Sequence, residues 1–181
     1  MTKKIEKTNA IRLLEQKKIN FNIHEYDATS AISGEEVAKL LNEDPTKVFK
    51  TLVTIGKSNN HYVFLIPVNS ELDLKKAASA VNEKSIEMIK SKDLLSLTGY
   101  IHGGCSPVGM KKFFVTTIDI SANDKDKIIF SGGKIGLQIE TTLSELNKVI
   151  KFSLKDIKKW KSEKLNLLQF HLIWQQMKFT I

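Results

Sequence analysis

Seven of the nine glycines in this 181-residue chain fall in two short runs, Gly99 to Gly109 and Gly132 to Gly136. Glycine permits positive φ and close approach of backbone to another group, but it weakens helix and strand interiors. Two shaped loops must therefore be built into the fold. The first, Thr98-Gly-Tyr-Ile-His-Gly-Gly-Cys-Ser-Pro-Val-Gly-Met-Lys-Lys112, also holds Pro107, which fixes φ and removes a donor. Gly103-Gly104 with Pro107 three positions on describes a loop whose amide N–H groups are offered to a ligand. Lys111-Lys112 suggests a ligand carrying negative charge. A plain glycine-rich connector is the alternative.

With 181 residues, the chain is expected to form one domain or a domain with an appendage. Its hydrophobic share of 41% suffices for a conventional core. No run approaches the ~20 apolar residues of a membrane span. The start, Met-Thr-Lys-Lys-Ile-Glu-Lys, lacks the apolar segment of a secretion signal. The single cysteine excludes an internal disulfide and fits a reducing compartment, so a cytoplasmic protein without membrane contact is expected. One Cys with scattered His24, His61, His102 and His171 offers no zinc-binding spacing, and no metal site is expected. The net charge of +8 invites a nucleic-acid reading. Seven lysines against Asp156 and Glu163 place much of that surplus in residues 151–181. Arg12 is the only arginine, so bidentate reading of phosphate is not the expected mode.

Periodicity predicts a first helix over Ile5 to Lys18 and a strand over Phe21 to Tyr26. Ser33, followed by Glu36, predicts a capped second helix running through Leu41, and Asp44-Pro45 a turn. Val48–Ile55 and the apolar run Tyr62–Val68 read as strands joined through Gly56 to Asn60. Helices are expected at Leu72–Val81 and Lys92–Leu97. Strands follow at Lys112–Asp119, Lys127–Ser131 and Gly136–Glu140, then a helix from Ser144 to Val149. The order implies a mixed α/β (α+β) single domain, its mixed and partly barrel-like sheet wrapped by helices. Residues 1–150 form that domain, and 151–181 a lysine-rich extension of helical character.

Four places could carry chemistry: Tyr26, Lys50, the Gly103–Gly109 loop and the Ser131–Gly136 loop. Lys50 lies within an apolar strand and faces either solvent or a cleft. Tyr26 closes a strand and reads equally as a packing residue with a wet hydroxyl. Cys105 with His102 as base would make a nucleophile, but no third group orients the pair and cysteine also packs as a small hydrophobe. Ser106 stands in Gly-Gly-Cys-Ser-Pro rather than the Gly-x-Ser-x-Gly elbow of serine hydrolases. The residues alone thus give an amide-donating loop and a nearby lysine without a persuasive nucleophile.

Phe49-Lys-Thr-Leu52, Leu72-Asp-Leu-Lys-Lys-Ala77, Thr98-Gly-Tyr100, Gly103-Gly-Cys-Ser-Pro-Val-Gly109 and Ser131-Gly-Gly-Lys-Ile-Gly-Leu137 occur in this order. In these motifs the chain resembles the YbaK-type aminoacyl-tRNA deacylases, most nearly those acting on Cys-tRNA(Pro). These are related to the editing domain of bacterial prolyl-tRNA synthetases. The resemblance spans about Ile5 to Ile150.

It implies that Lys50 contacts the phosphate and ribose at the tRNA 3′ end and that Tyr26 lines the aminoacyl pocket. Gly103 and Gly104, with Ser106 and Pro107 in the same loop, would aim backbone amides at the ester carbonyl. Ser131 and Gly132 would complete the substrate-binding wall. No cofactor is implied. The substrate's own thiol would attack its ester, releasing tRNA and a cyclic thiolactone, with prolyl-tRNA synthetase as partner. Alternatives are an Ala-tRNA or Ser-tRNA deacylase using water, and a non-catalytic tRNA-binding regulatory module. Three positions depart from the family pattern: Cys105 for an aliphatic residue, Met110 for a polar one, and Ile135 for a basic one.

Overall fold

Thr8, extended at φ −72° and ψ 168°, accepts the Ile11 N–H and starts α1 at Asn9; the helix runs Asn9–Gln16. The expected start at Ile5 lies outside the described residues, and among those described the helix begins after Thr8. The computed structural model describes residues 7–27, 29 and 33–159. After β1 (Asn22–Glu25) comes α2 (Gly34–Leu40), entered through a complete capping box in which Ser33 and Glu36 satisfy each other's backbone N–H. β2 (Val48–Gly56) and β3 (His61–Pro67) form a hairpin closed by the Gly56 N–H on Asn60 O at 2.8 Å, with Asn59 at φ 66°.

Asp73 then caps α3 (Leu74–Ala80) by accepting from the N–H groups of Lys75 and Lys76. β4 (Ile86–Met88) leads to α4 (Ser91–Thr98), which ends on Gly99 at φ 85°. The remaining elements are β5 (Val115–Asp119), β6 (Ile128–Ser131), β7 (Leu137–Thr141), α5 (Leu143–Leu146) and β8 (Phe152–Lys155).

The eight strands make one mixed sheet in the order β1-β7-β6-β2-β3-β5-β8, with β4 pairing on β2. β2 pairs with β6 at its start, Val48↔Ile129, and with β4 at its end, Thr54↔Met88. Two of these strands were not foreseen. β4 is only three residues long, and β8 lies in the lysine-rich stretch read as an extension, yet Thr116↔Phe152 to Asp119↔Lys155 seat it in the sheet. The sheet therefore continues past residue 150. The helical character expected within 151–181 falls, from residue 160 onward, outside the described residues.

Both faces of the central strands are covered. Phe64 and Leu65, neighbours in β3, are each fully buried, which explains the unbroken apolar run. Phe49, Val53, Leu65, Phe130 and Ile139 pack on one face against Ala10, Ile11 and Leu14 of α1. On the other, Phe64 and Ile66 meet Ala77 and Ala78 of α3, and Val48, Val68 and Ile129 meet Ala38 of α2. Burying one such Leu, Ile or Phe is worth about 1.5–3 kcal/mol. The sheet and helices thus form a firm base for the loops that connect them.

Candidate active site

Strand alternation puts Val48, Lys50 and Leu52 on the face of β2 opposite Phe49 and Val53. Phe49 and Val53 are fixed in the main core, so Lys50 is committed to the α2 side. There a cavity of about 510 Å³ opens between the start of α2, strand β2 and both glycine loops. That volume suits a small organic group or the end of a larger ligand. Lys50 lines it, half-buried, and its Nζ donates to Val68 O at 3.3 Å. Burial lowers the Lys50 ammonium below the usual lysine range, while the charges of Glu71 and Glu35 work the other way. Glu71 is itself held by Lys159, whose Nζ donates to its carboxylate at 2.7 Å.

Tyr26, just past β1, lines the same cavity, and its N–H donates to Gly136 O at 3.0 Å. The first strand is thereby tied to the second glycine loop. Ser131, at the end of β6, also lines the cavity, and its Oγ accepts the Gly133 N–H at 3.3 Å. Gly132 does not line it; its N–H donates to Leu137 O at 2.9 Å within the loop.

The first glycine loop divides similarly. Gly103, at φ 81°, and Cys105 line the cavity, and no described residue accepts the backbone N–H of either. Gly104, between them, is turned away, its N–H spent on Ile101 O at 3.0 Å. Ser106 is fully buried and its Oγ accepts the Val108 N–H at 3.3 Å, while Pro107 is buried behind the loop. Lys50, Tyr26, Gly103 and Ser131 are therefore gathered around one space, and Gly104, Ser106, Pro107 and Gly132 form its backing. Burial pushes the Cys105 thiol up to about 12, so this sulfur stays protonated and unreactive at neutral pH.

Sequence reasoning missed several lining residues. Thr51 presents a hydroxyl buried without a partner among the described residues, a costly state unless a ligand pairs it. Gln138, buried on β7 opposite both Ser131 and His24, adds an amide. Val37 of α2, Met88 of β4 and Leu94 of α4 supply apolar walls. No local spacing signals these residues, because their neighbourhood is made by strand pairing across the chain. Val37, Met88 and Gln138, from α2, β4 and β7, have no motif to announce them.

A sequence model of the aminoacyl-tRNA editing domain matches residues 28–149, more than half of the chain. Over 136 residues the chain is 47% identical to an Enterococcus faecalis protein named as a candidate Cys-tRNA(Pro)/Cys-tRNA(Cys) deacylase, EbsC, covering 75% of this chain and 83% of that one. It is 32% identical over 83 residues to the proline–tRNA ligase of Pseudothermotoga lettingae, covering 46% of this chain and 14% of that one. The crystal structure of a candidate trans-editing enzyme for prolyl tRNA synthetase superposes with a TM-score of 0.75 at 23% identity, covering 83% of this chain and 95% of that one. That last likeness establishes the fold alone.

Proposed function

The chain belongs to the aminoacyl-tRNA editing domain family, and we propose that it is a freestanding deacylase that clears cysteine from mischarged Cys-tRNA(Pro). The observation that carries this reading is a cavity lined by a half-buried lysine and by Gly103 and Cys105, whose backbone N–H groups no described residue accepts, with burial holding the one cysteine as its thiol. Such a site can polarise an ester but supplies no evident protein nucleophile. A substrate that brings its own thiol needs none.

In the proposed reaction the cysteinyl sulfur attacks its own ester carbonyl. A C–S bond forms, the ester C–O bond to the terminal ribose breaks, and the thiol proton ends on the ribose hydroxyl. The products are tRNA and a thiolactone, which water later opens to cysteine. Gly103 and Cys105 N–H would hold the carbonyl oxygen as negative charge gathers on it; one preorganised donor of this kind is worth about 3 kcal/mol. Tethered attack supplies the rest, with effective molarities of roughly 10⁵–10⁸ M in well-aligned cases. Lys50 would face the phosphate and ribose of the 3′ nucleotide. Thr51, Gln138 and Ser131 offer the polar partners that orient the aminoacyl group, and Tyr26 closes its side. Aminoacyl-tRNA is thus the ligand, prolyl-tRNA synthetase the proposed source of the mischarged substrate, and the cytoplasm the place of action.

The test is a panel of Cys-, Ser- and Ala-tRNA incubated with the purified protein, with product identified as thiolactone or free amino acid. Rapid loss of Cys-tRNA to thiolactone with Ser-tRNA spared supports the proposal. Equal loss of all three points to attack by water, and decay no faster than without protein overturns the enzymatic reading.

A further inference from the structure

Gly104 marks where the two glycine loops touch. A Cβ there would lie 3.0 Å from Lys134 Cα and 3.1 Å from Ile135 N, so backbone rests on backbone with no side chain between. Contact this close keeps its spacing only if both loops are held from behind. Two residues supply that hold, and neither lines the cavity.

Tyr100 is buried, and its hydroxyl donates to Val108 O at 2.7 Å. Its ring edge explains Gly133, where a Cβ would stand 2.9 Å from Tyr100 Cε1. Its oxygen explains Gly109, where a Cβ would stand 2.9 Å from Tyr100 Oη and 3.0 Å from Ala10 N. One side chain therefore touches the first loop, the second loop and the first turn of α1. Burial raises the phenol far above its usual range, so it remains a donor at any physiological pH. Thr8 completes the arrangement: its Oγ1 accepts the Ile11 N–H at 3.3 Å as the α1 cap and donates to Gly132 O at 2.5 Å.

We infer that Tyr100 and Thr8 are positioning residues that tie both glycine loops to the first turn of α1 and so fix the amides of Gly103 and Cys105. The catalytic part of this inference rests on the deacylase reading above; the mechanical part does not. Without the ties, the loops could part by a few tenths of an ångström at Gly104. That distance matters little for holding a substrate and a great deal for aligning donors with a developing charge.

The experiment compares wild type with Tyr100→Phe, Thr8→Val and the double variant, by amide hydrogen exchange and by steady-state deacylation of Cys-tRNA. Tyr100→Phe keeps the ring and removes only the hydroxyl. The expected result is exchange accelerated about tenfold at the hydrogen-bonded amides of both Gly104 and Gly132 in each single variant. A kcat reduced about tenfold with KM within about twofold should accompany it, and the double variant should be no worse than the weaker single. Faster exchange confined to the loop nearest each substitution, or multiplicative losses in kcat, would overturn the coupling. Should Tyr100→Phe fail to fold, Thr8→Val decides alone, because it is attached to the second loop and must still loosen residues 103–105. A wild type without deacylase activity defeats the functional reading yet leaves the exchange result to stand or fall separately.

Discussion

Lys50 Nζ sits 3.3 Å from Val68 O, a carbonyl at the end of the neighbouring strand, and this bond holds a charged group at the wall of an otherwise largely apolar cavity. A single carbonyl leaves most of the ammonium's hydrogen-bonding capacity open to a ligand. Lys50→Ala is therefore expected to lower kcat/KM for Cys-tRNA by about 100-fold. Burial has moved the Lys50 pKa down, so its charge is present below that value and lost as pH rises through it. KM should climb on the alkaline side earlier than an exposed lysine would allow. Lys50→Arg, which keeps its charge at every accessible pH, should retain partial activity with that alkaline rise removed. Steady-state kinetics across pH, corrected for spontaneous ester loss, measures both.

The same burial has a cost for the fold. A lysine whose folded pKa lies below its unfolded one destabilises the native state while charged, and the penalty fades only as pH rises through those values. Lys50→Met should thus raise the thermal midpoint, by about 2 °C, while losing activity as Lys50→Ala does. A lowered midpoint would show that Lys50 is a structural anchor rather than a group held ready for a ligand.

Some of this was legible in the sequence because the signals are short-range. The Ser33–Glu36 box, the Asn59 turn and the apolar run of β3 each announce themselves within a few residues. β4 and β8 do not. Each is an edge segment whose partner, Thr54↔Met88 for one and Thr116↔Phe152 for the other, lies more than thirty residues away. Lys151, Lys155, Lys158 and Lys159, in and around β8, make this stretch read as part of a lysine-rich extension, although Ile157, just beyond the strand, is fully buried. At the site, Lys50 stands out as a charge within an apolar strand and Tyr26 by its place at a strand end, whereas Thr51, although next to Lys50, and Gln138 become visible as lining residues only once the sheet brings them to one cavity. Gly104 shows the opposite limit. Glycine content marked the loop correctly, but only the fold reveals that this amide is used internally and that its role is steric.

Cys105 provides a check on the absence of a protein nucleophile. It packs in the main core beside the cavity, with burial holding its thiol pKa near about 12. Cys105→Ala should keep kcat within about twofold and cost roughly 1 kcal/mol of stability from lost packing. Native protein should resist alkylation by iodoacetamide at pH 7 and react only on unfolding. Loss of most activity in the alanine variant would restore Cys105 as a candidate nucleophile.

Two glycines of the first loop should separate catalysis from folding. Gly99 ends α4 at φ 85°, and a Cβ there would meet only the flexible stem of Lys111 at 3.3 Å. Gly99→Ala should cost about 1–2 kcal/mol for the left-handed backbone and leave kcat nearly unchanged. Gly104 has no positive φ, but its Cβ would press on Lys134 Cα at 3.0 Å, which is backbone and cannot swing aside. Gly104→Ala should depress kcat by about tenfold at a smaller cost in stability. Urea titrations paired with single-turnover rates distinguish the two; the same ratio of effects in both variants would contradict the contact-based account.

Asp119 gives the fold its clearest dependence on acid. Its carboxylate closes β5 in full burial, accepting the Ser121 N–H and Oγ–H on one oxygen and the Ile157 N–H at 3.1 Å on the other, with Lys158 Nζ 3.4 Å away. Desolvation alone would raise its pKa, but the Ser121 and Ile157 hydrogen bonds and the Lys158 charge outweigh it, and the net shift is downward. A carboxylate whose folded pKa is depressed stabilises the native state at every pH above its unfolded value of about 3.9, and this contribution is lost as pH falls through the folded value. Asp119→Asn removes the charge and replaces one accepting oxygen with an NH₂ group that confronts a buried N–H. The expected loss is about 2 kcal/mol at pH 7, since a buried donor is left unpaired. The difference between wild type and variant should then shrink as the pH falls below the unfolded value of about 3.9 and toward the lower folded one. Urea midpoints at pH 7, 5 and 3 test this directly: a gap that stays constant across the three would mean that Asp119 acts through shape rather than charge.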